Sequence, residues 1–244
     1  MTANKQHIRD LLDFQVTLPA AAHGVSGKHR VPHYRAFVFS FADADVAVRP
    51  DIGASHRRFW RHLARPGGSL RGAERVAIAA TARTATAGDR GSFSPSLTDL
   101  AIRLMAEPGS VRASHVLTAC DAAGEAQTVE TIGIVSHLSA IDGFHRALGV
   151  DLPTLPEPEP GPPTGEVTPG LKRRRSHIPM PPGPIPVALD LVPAEARMLA
   201  TLHGPHYMTF EEMDHNDFAR VPGLDRAQIE HVSARISLLN KCFY

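Results

Sequence analysis

Apolar residues recur along this chain in steps of three and four, the spacing of one face of an α-helix. The clearest stripe runs through Ile132, Val135, Leu138, Ile141, Phe144 and Leu148, predicting a helix from Glu130 to Leu148. Gly149 follows where a helix-ending glycine belongs, ahead of the extended Asp151-Leu152-Pro153. The same spacing predicts helices over Leu97–Ala106, Val111–Ala122 and His56–Ala64, the last with Phe59, Trp60 and Leu63 on one face. Further on, Ala194–Leu202 and Arg226–Leu239 are periodic, the latter through Ile229, Val232, Ile236 and Leu239. Partial two-residue alternation, the mark of a strand, occurs only in Arg35–Ser40. The expected fold class is all-α.

Proline interrupts this pattern once, at length. Between Pro153 and Pro186 lie 12 of the 21 prolines. Proline lacks a backbone donor and clashes with the preceding helical turn, so this stretch reads as an extended linker. The expected organisation is therefore a unit over 1–152, a Pro-rich linker over 153–186, and a second unit over 187–244. The linker carries the one dense charge run, Lys172-Arg173-Arg174-Arg175, with no aromatics interleaved. It reads as a solubilising cluster rather than a nucleic-acid contact.

Composition narrows the class. Of 244 residues, 43% are hydrophobic and 21% charged, ordinary for a globular chain. The formal net charge of +1 provides no protein-wide field for nucleic acid or an anionic membrane. No apolar run approaches a membrane span, and the charged start MTANKQHIRDLLDF does not read as a signal peptide. Two cysteines, Cys120 and Cys242, fit a reducing, cytoplasmic setting.

A candidate internal repeat relates Leu70–Arg83 to Leu224–Ser237. Each holds a leucine, a basic residue and a glutamate at the start of a helix of small and β-branched residues. Each follows a segment with His and Phe, His56-Arg57-Arg58-Phe59 in one and His215-Asn216-Asp217-Phe218 in the other. Pairing Glu74 with Glu230 requires a gap of two residues.

The run Gln228–Tyr244 resembles the catalytic helix of the carboxymuconolactone decarboxylase and alkylhydroperoxidase D-like superfamily. Glu230 and Cys242 stand 12 apart, as that family's glutamate and first cysteine do, and Asn240-Lys241-Cys242-Phe243-Tyr244 resembles the lead-in to its C-x-x-C motif. The second cysteine and the histidine four residues beyond it are not in this sequence. The stretches Leu97–Ala106, Val111–Val116 and Ile141–Pro153 resemble helices of the same family. Twelve, fifteen and nineteen residues past Glu74, however, stand Thr86, Asp89 and Phe93 rather than the redox pair and histidine. The resemblance thus implies an alkylhydroperoxidase D-like helical fold, with one degenerate repeat and an incomplete second repeat joined by the linker. It also implies a peroxidase of the peroxiredoxin type, reducing organic hydroperoxides with a thiol reductant, but impaired in this chain because the second redox residue and the histidine are absent from it. Cys242 and Glu230 are its catalytic candidates, it needs no cofactor or metal, and it assembles as a homo-oligomer. Such a thiol must ionise, attack the peroxide oxygen and pass through a sulfenic acid. An expectation follows for the position after Tyr244: a selenocysteine encoded by UGA, with a nonsense codon or a fragment boundary as rivals. Two other classes stay open, a carboxymuconolactone decarboxylase-type enzyme and a non-catalytic scaffold whose sites have decayed.

The remaining reactive side chains read as structural. Cys120 lies in an apolar helix, the setting of a small buried hydrophobe. His203, His206 and His215 form the densest histidine group, but Pro205 disrupts the helical spacing a zinc pair would use. His137 and His145, eight residues apart, diverge by about 80° around their helix and should not share a ligand.

Overall fold

The computed structural model describes residues 39–84, 93–174, 176–183, 185–208, 210–215 and 224–239. All regular structure among them is helical, so the all-α expectation holds at the level of class. In chain order the helices are α1 (Pro50–Ala64), α2 (Gly72–Thr84), α3 (Pro95–Ala106), α4 (Ala113–Ala123), α5 (Glu125–Ala147), α6 (Pro193–His206), α7 (Phe210–Met213) and α8 (Arg226–Leu239). Short 3-10 turns occupy Pro108–Ser110 and Ile185–Leu189. The alternating stretch Arg35–Ser40 falls almost wholly outside the described residues.

Local sequence explains the boundaries. Proline opens α1, α3 and α6, where its missing N–H is not needed. The Ser94 hydroxyl accepts a hydrogen bond from the Ser96 N–H to cap α3. Gly149, at φ 67°, ends α5: its N–H donates to Arg146 O while the Val150 N–H donates to His145 O. These are the paired bonds of a glycine-terminated helix.

Helix α5 is the axis of the fold, contacting α2, α3, α4 and α6. Val129, Ile134, Val135, Leu138 and Ile141 are buried along it, whereas Ile132, Phe144 and Leu148 are only partly so. The buried face is thus rotated from, and broader than, the stripe that periodicity selects. A central helix is covered on several sides, so one stripe underestimates what it buries. Phe59, Trp60, Leu63, Ile78, Leu97 and Leu100 complete the core around it.

The proline-rich segment is extended, as proline dictates, but it is not free of the body. The Glu159 N–H donates to Ala64 O at 2.7 Å, Thr164 N–H to Gly67 O at 2.8 Å and Gly165 N–H to Gly68 O at 2.9 Å. Trp60 Nε1–H donates to Thr154 O and Arg83 Nη1 to Pro153 O. Gly72 permits this approach, since a Cβ there would overlap Ala64 O and Glu159 O. Beyond the strap, Leu189, Leu191, Val192, Met198 and Leu202 join the same apolar core as α1–α5. Apolar residues on both sides of the Pro-rich stretch, from Phe39 to Leu202, thus belong to one cluster. An extended strand of prolines loses little entropy on docking, which suits it to lie along a surface as well as to span a gap.

Candidate functional site

Cys242 lies outside the described residues. Glu230 projects from α8 with its side chain 51% exposed, and accepts hydrogen bonds from Arg226 one turn earlier at 2.6–2.7 Å. No described residue of α8 is buried; Leu224, Val232, Ile236, Leu238 and Leu239 are all exposed. At 1.5 Å per residue, Glu230 stands roughly 14 Å along the axis from the end of α8 at Leu239.

The helix starts do not reproduce the gapped pairing of the two glutamates. Glu74 is the third residue of α2, and its carboxylate accepts from the N–H of Arg71, the residue before the helix, at 2.7 Å. In α8 the third residue is Gln228, whose Oε1 accepts from the Asp225 N–H at 3.0 Å while Asp225 Oδ1 accepts from the Gln228 N–H at 2.8 Å. Each is a side chain reaching back to cap its own helix. Glu74 therefore corresponds to Gln228 without a gap, and Glu230 sits two residues, about 200°, further round.

The densest polar site is one the sequence did not reveal. Arg75 on α2 is fully buried and its guanidinium bridges two fully buried carboxylates, Glu130 on α5 and Glu195 on α6. Arg75 Nη1 donates to Glu195 Oε1 at 2.8 Å, and Arg75 Nη2 to His62 O at 3.2 Å. The opposite oxygen of Glu130 accepts from the Ser69 N–H and hydroxyl at 2.7 and 2.8 Å. Gly67 lines this contact, and a Cβ there would overlap both the Glu130 carboxylate and the Arg75 guanidinium. His62 Nε2 lies 2.7 Å from Glu195 Oε1, and His137 Nδ1 lies 3.5 Å from Oε2. Burial pushes the Glu195 carboxyl up, but Arg75 and His62 outweigh it and hold the group well below the usual range. His137, enclosed completely, is pushed down by burial and favours the neutral imidazole.

A second cluster lies at the far end of α6. His56 on α1 and His206 on α6 stack at 5.1 Å between ring centroids, their Nε2 atoms 2.9 Å apart. His145 on α5 stacks on His56 at 5.7 Å, and its Nδ1–H donates to Ile141 O. Phe39, Phe41 and Phe144 surround these rings edge-on. Burial, with His206 and His145 nearby, pushes His56 down to about 3.

The other sequence candidates are placed plainly. Cys120 is buried in α4, where burial raises its thiol. His137 and His145 serve separate clusters. His203 stacks on Tyr207, and His215 is exposed. Among the described residues, no three His, Cys, Asp or Glu side chains converge as a metal site would require. Nor is any described helix long and apolar enough to cross a membrane.

Sequence reasoning missed the buried cluster because its members are 55 to 120 residues apart. One signal was present: Glu130 and His137 stand in register with the buried Ile134 and Ile141 on α5, polar groups in an apolar stripe. No family model, no curated protein and no solved structure matches this chain.

Proposed function

We propose that this protein is an alkylhydroperoxidase-like thiol (or selenol) peroxidase, with its chemistry at Cys242 and the α1–α6 body as scaffold. The observation that carries this reading is the 12-residue interval from Glu230 to Cys242, with a continuous helix beginning four residues before the glutamate. A peroxidatic thiol needs solvent access and a nearby proton carrier. Glu230 is the proton carrier in this reading. Its distance from the end of α8 requires the following chain to turn back along the helix, or a relay group between them. Specificity for organic hydroperoxides and the thiol reductant come from the resemblance of Gln228–Tyr244 to the family.

A second reading, a non-catalytic body, is favoured by one observation: the Arg75–Glu130–Glu195 cluster is sealed from solvent, which is the setting of a structural network. Reduction of tert-butyl hydroperoxide with dithiothreitol separates the two, using the protein expressed from its own gene beside Cys242→Ser and Glu230→Gln. The peroxidase reading expects Cys242→Ser to abolish turnover. It expects Glu230→Gln to lower the rate and alter its pH profile while the thiol count stays constant. Equal turnover in the parent and Cys242→Ser leaves the non-catalytic body standing.

A further inference from the structure

Helix α6 is held to the body at its two ends by contacts of opposite chemistry. Near its start, Glu195 is clamped by the permanent cation of Arg75 and by His62, with Glu130 and His137 facing it from α5. About 17 Å along the axis, at its last residue, His206 rests on His56. Between them, Gly204 and Pro205 lie within the last turn of the helix, which runs unbroken to His206: glycine disfavours the helical backbone and proline supplies no N–H to it, so this turn is the weakest of α6. We propose that α6 is an acid-operated hinge, in which protonation of the His56–His206 stack frees the His206 end while the Glu195 end stays docked.

The cations and imidazoles described around the stack favour this direction. From α1, His56 meets Arg57, and Arg49 at the start of that helix reaches Pro205 O at 3.1 Å. From α5 comes His145, and from α6 itself His203. The 3-10 turn Ile185–Leu189 contributes no titratable residue, and among the described residues before α1 the rings of Phe39 and Phe41 pack on His56. Among the described residues, Asp51 is an acid that acts on His206 in the opposite sense, and it is already paired with Arg49. Two neutral imidazoles can share a single N–H···N bond across 2.9 Å. A first added proton places a cation in an aromatic, largely dry site beside arginines. A second turns both Nε2 atoms into donors facing one another, and the bond is lost.

Burial lowers His206 as well as His56, and His56 at about 3 is neutral throughout the physiological range. A group whose packed form stays neutral, but which regains an ordinary imidazole on release, binds more protons when released. Contact is therefore full above the ordinary value near 6.5 and weakens as pH falls below it. One such histidine favours the released end about 30-fold at pH 5 over pH 7.5. The Glu195 end behaves otherwise, because its carboxylate, held well below the usual range, keeps its charge at pH 5. The hinge rests on the described core alone and is independent of the peroxidase reading.

Amide hydrogen exchange of the whole chain at pH 7.5 and 5.0, corrected for the intrinsic pH dependence of exchange, tests the hinge. The expected result is a rise of about 30-fold in exchange over residues 203–208 at pH 5, with residues 198–200 of α6 and 129–138 of α5 unchanged. The double variant H56F/H206F keeps two stacking rings but no titrating nitrogen, and should show no rise. Should that variant fail to fold, histidine ring nitrogen shifts in the parent protein decide, and should report both rings neutral at pH 5.5. Equal protection at the two pH values overturns the hinge. So does exchange rising together at both ends of α6, a pH step surviving in H56F/H206F, or imidazolium rings at pH 6 in a protein whose residues 203–208 remain protected.

Discussion

Helices α2 and α8 look alike in sequence and live in different worlds. Both open on a side chain that reaches back to cap the preceding N–H, Glu74 in one and Gln228 in the other. Aligned from those caps, Ile78 corresponds to Val232 and Ala82 to Ile236. Ile78 and Ala82 are fully buried, whereas Val232 and Ile236 are each 52% exposed. Capping is a local property and repeats with the local sequence. Burial is set by what arrives from elsewhere, and only α2 receives α3, α5 and the strap. Likeness of two helices in one chain therefore argues for a shared way of starting, and not for a shared environment.

The largest expected break in the comparison comes from Arg75. Replacing it by Met leaves Glu130 and Glu195 facing each other without their cation, and should cost about 3–5 kcal/mol in denaturant unfolding. Arg226→Met, which removes the half-buried partner of the exposed Glu230 and its bonds to Met208 and Glu212, should shift the same curve by about 1 kcal/mol or less. A comparable loss from both would mean that α8 is also integrated into a core. Next in size is the apolar pair. Ile78→Ala should destabilise by about 2–4 kcal/mol through the cavity it leaves, while Val232→Ala should be close to neutral for the monomer. Light scattering on the same samples sharpens the contrast: Val232→Ala should reduce self-association if the exposed stripe drives it. The smallest effect concerns the cap. Asp225→Ala should weaken α8 by about 1 kcal/mol, read as faster amide exchange over its first turn, with the global unfolding midpoint unmoved.

The helices were legible because their signals are local. Proline at the starts of α1, α3 and α6, Gly149 past α5, and three-and-four spacing are each read within a dozen residues. The periodic segments Leu97–Ala106, Ala194–Leu202 and Arg226–Leu239 all became helices within a few residues of the expected ends. The buried polar clusters were not legible, because pairing is set by tertiary packing. Arg75 and Glu195 look like solvated charges on their own helices, and only the meeting of α2 with α6 makes them partners. Gly67 was equally silent: nothing in Pro66-Gly67-Gly68-Ser69 announces that a carboxylate and a guanidinium press against its α-carbon. The strap shows the same limit from the other side. Proline fixed the backbone of residues 153–168 correctly, but a backbone's shape does not say whether it crosses solvent or lies on protein. Glu230 was read from a spacing, and spacing describes a line of residues rather than a surrounding.

The position of Trp60 has a practical consequence. It is the only tryptophan in the chain, it is 1% exposed, and its indole N–H is held by the carbonyl of Thr154 on the strap. The protein thus carries one fluorophore, and it sits on the seam where residues 153–168 meet the helices. Intrinsic emission excited at the tryptophan band reads that seam, whereas circular dichroism reads the helices themselves. Wherever the two signals part company during unfolding, the interval between them is a direct optical measure of how far the strap leaves before the bundle does.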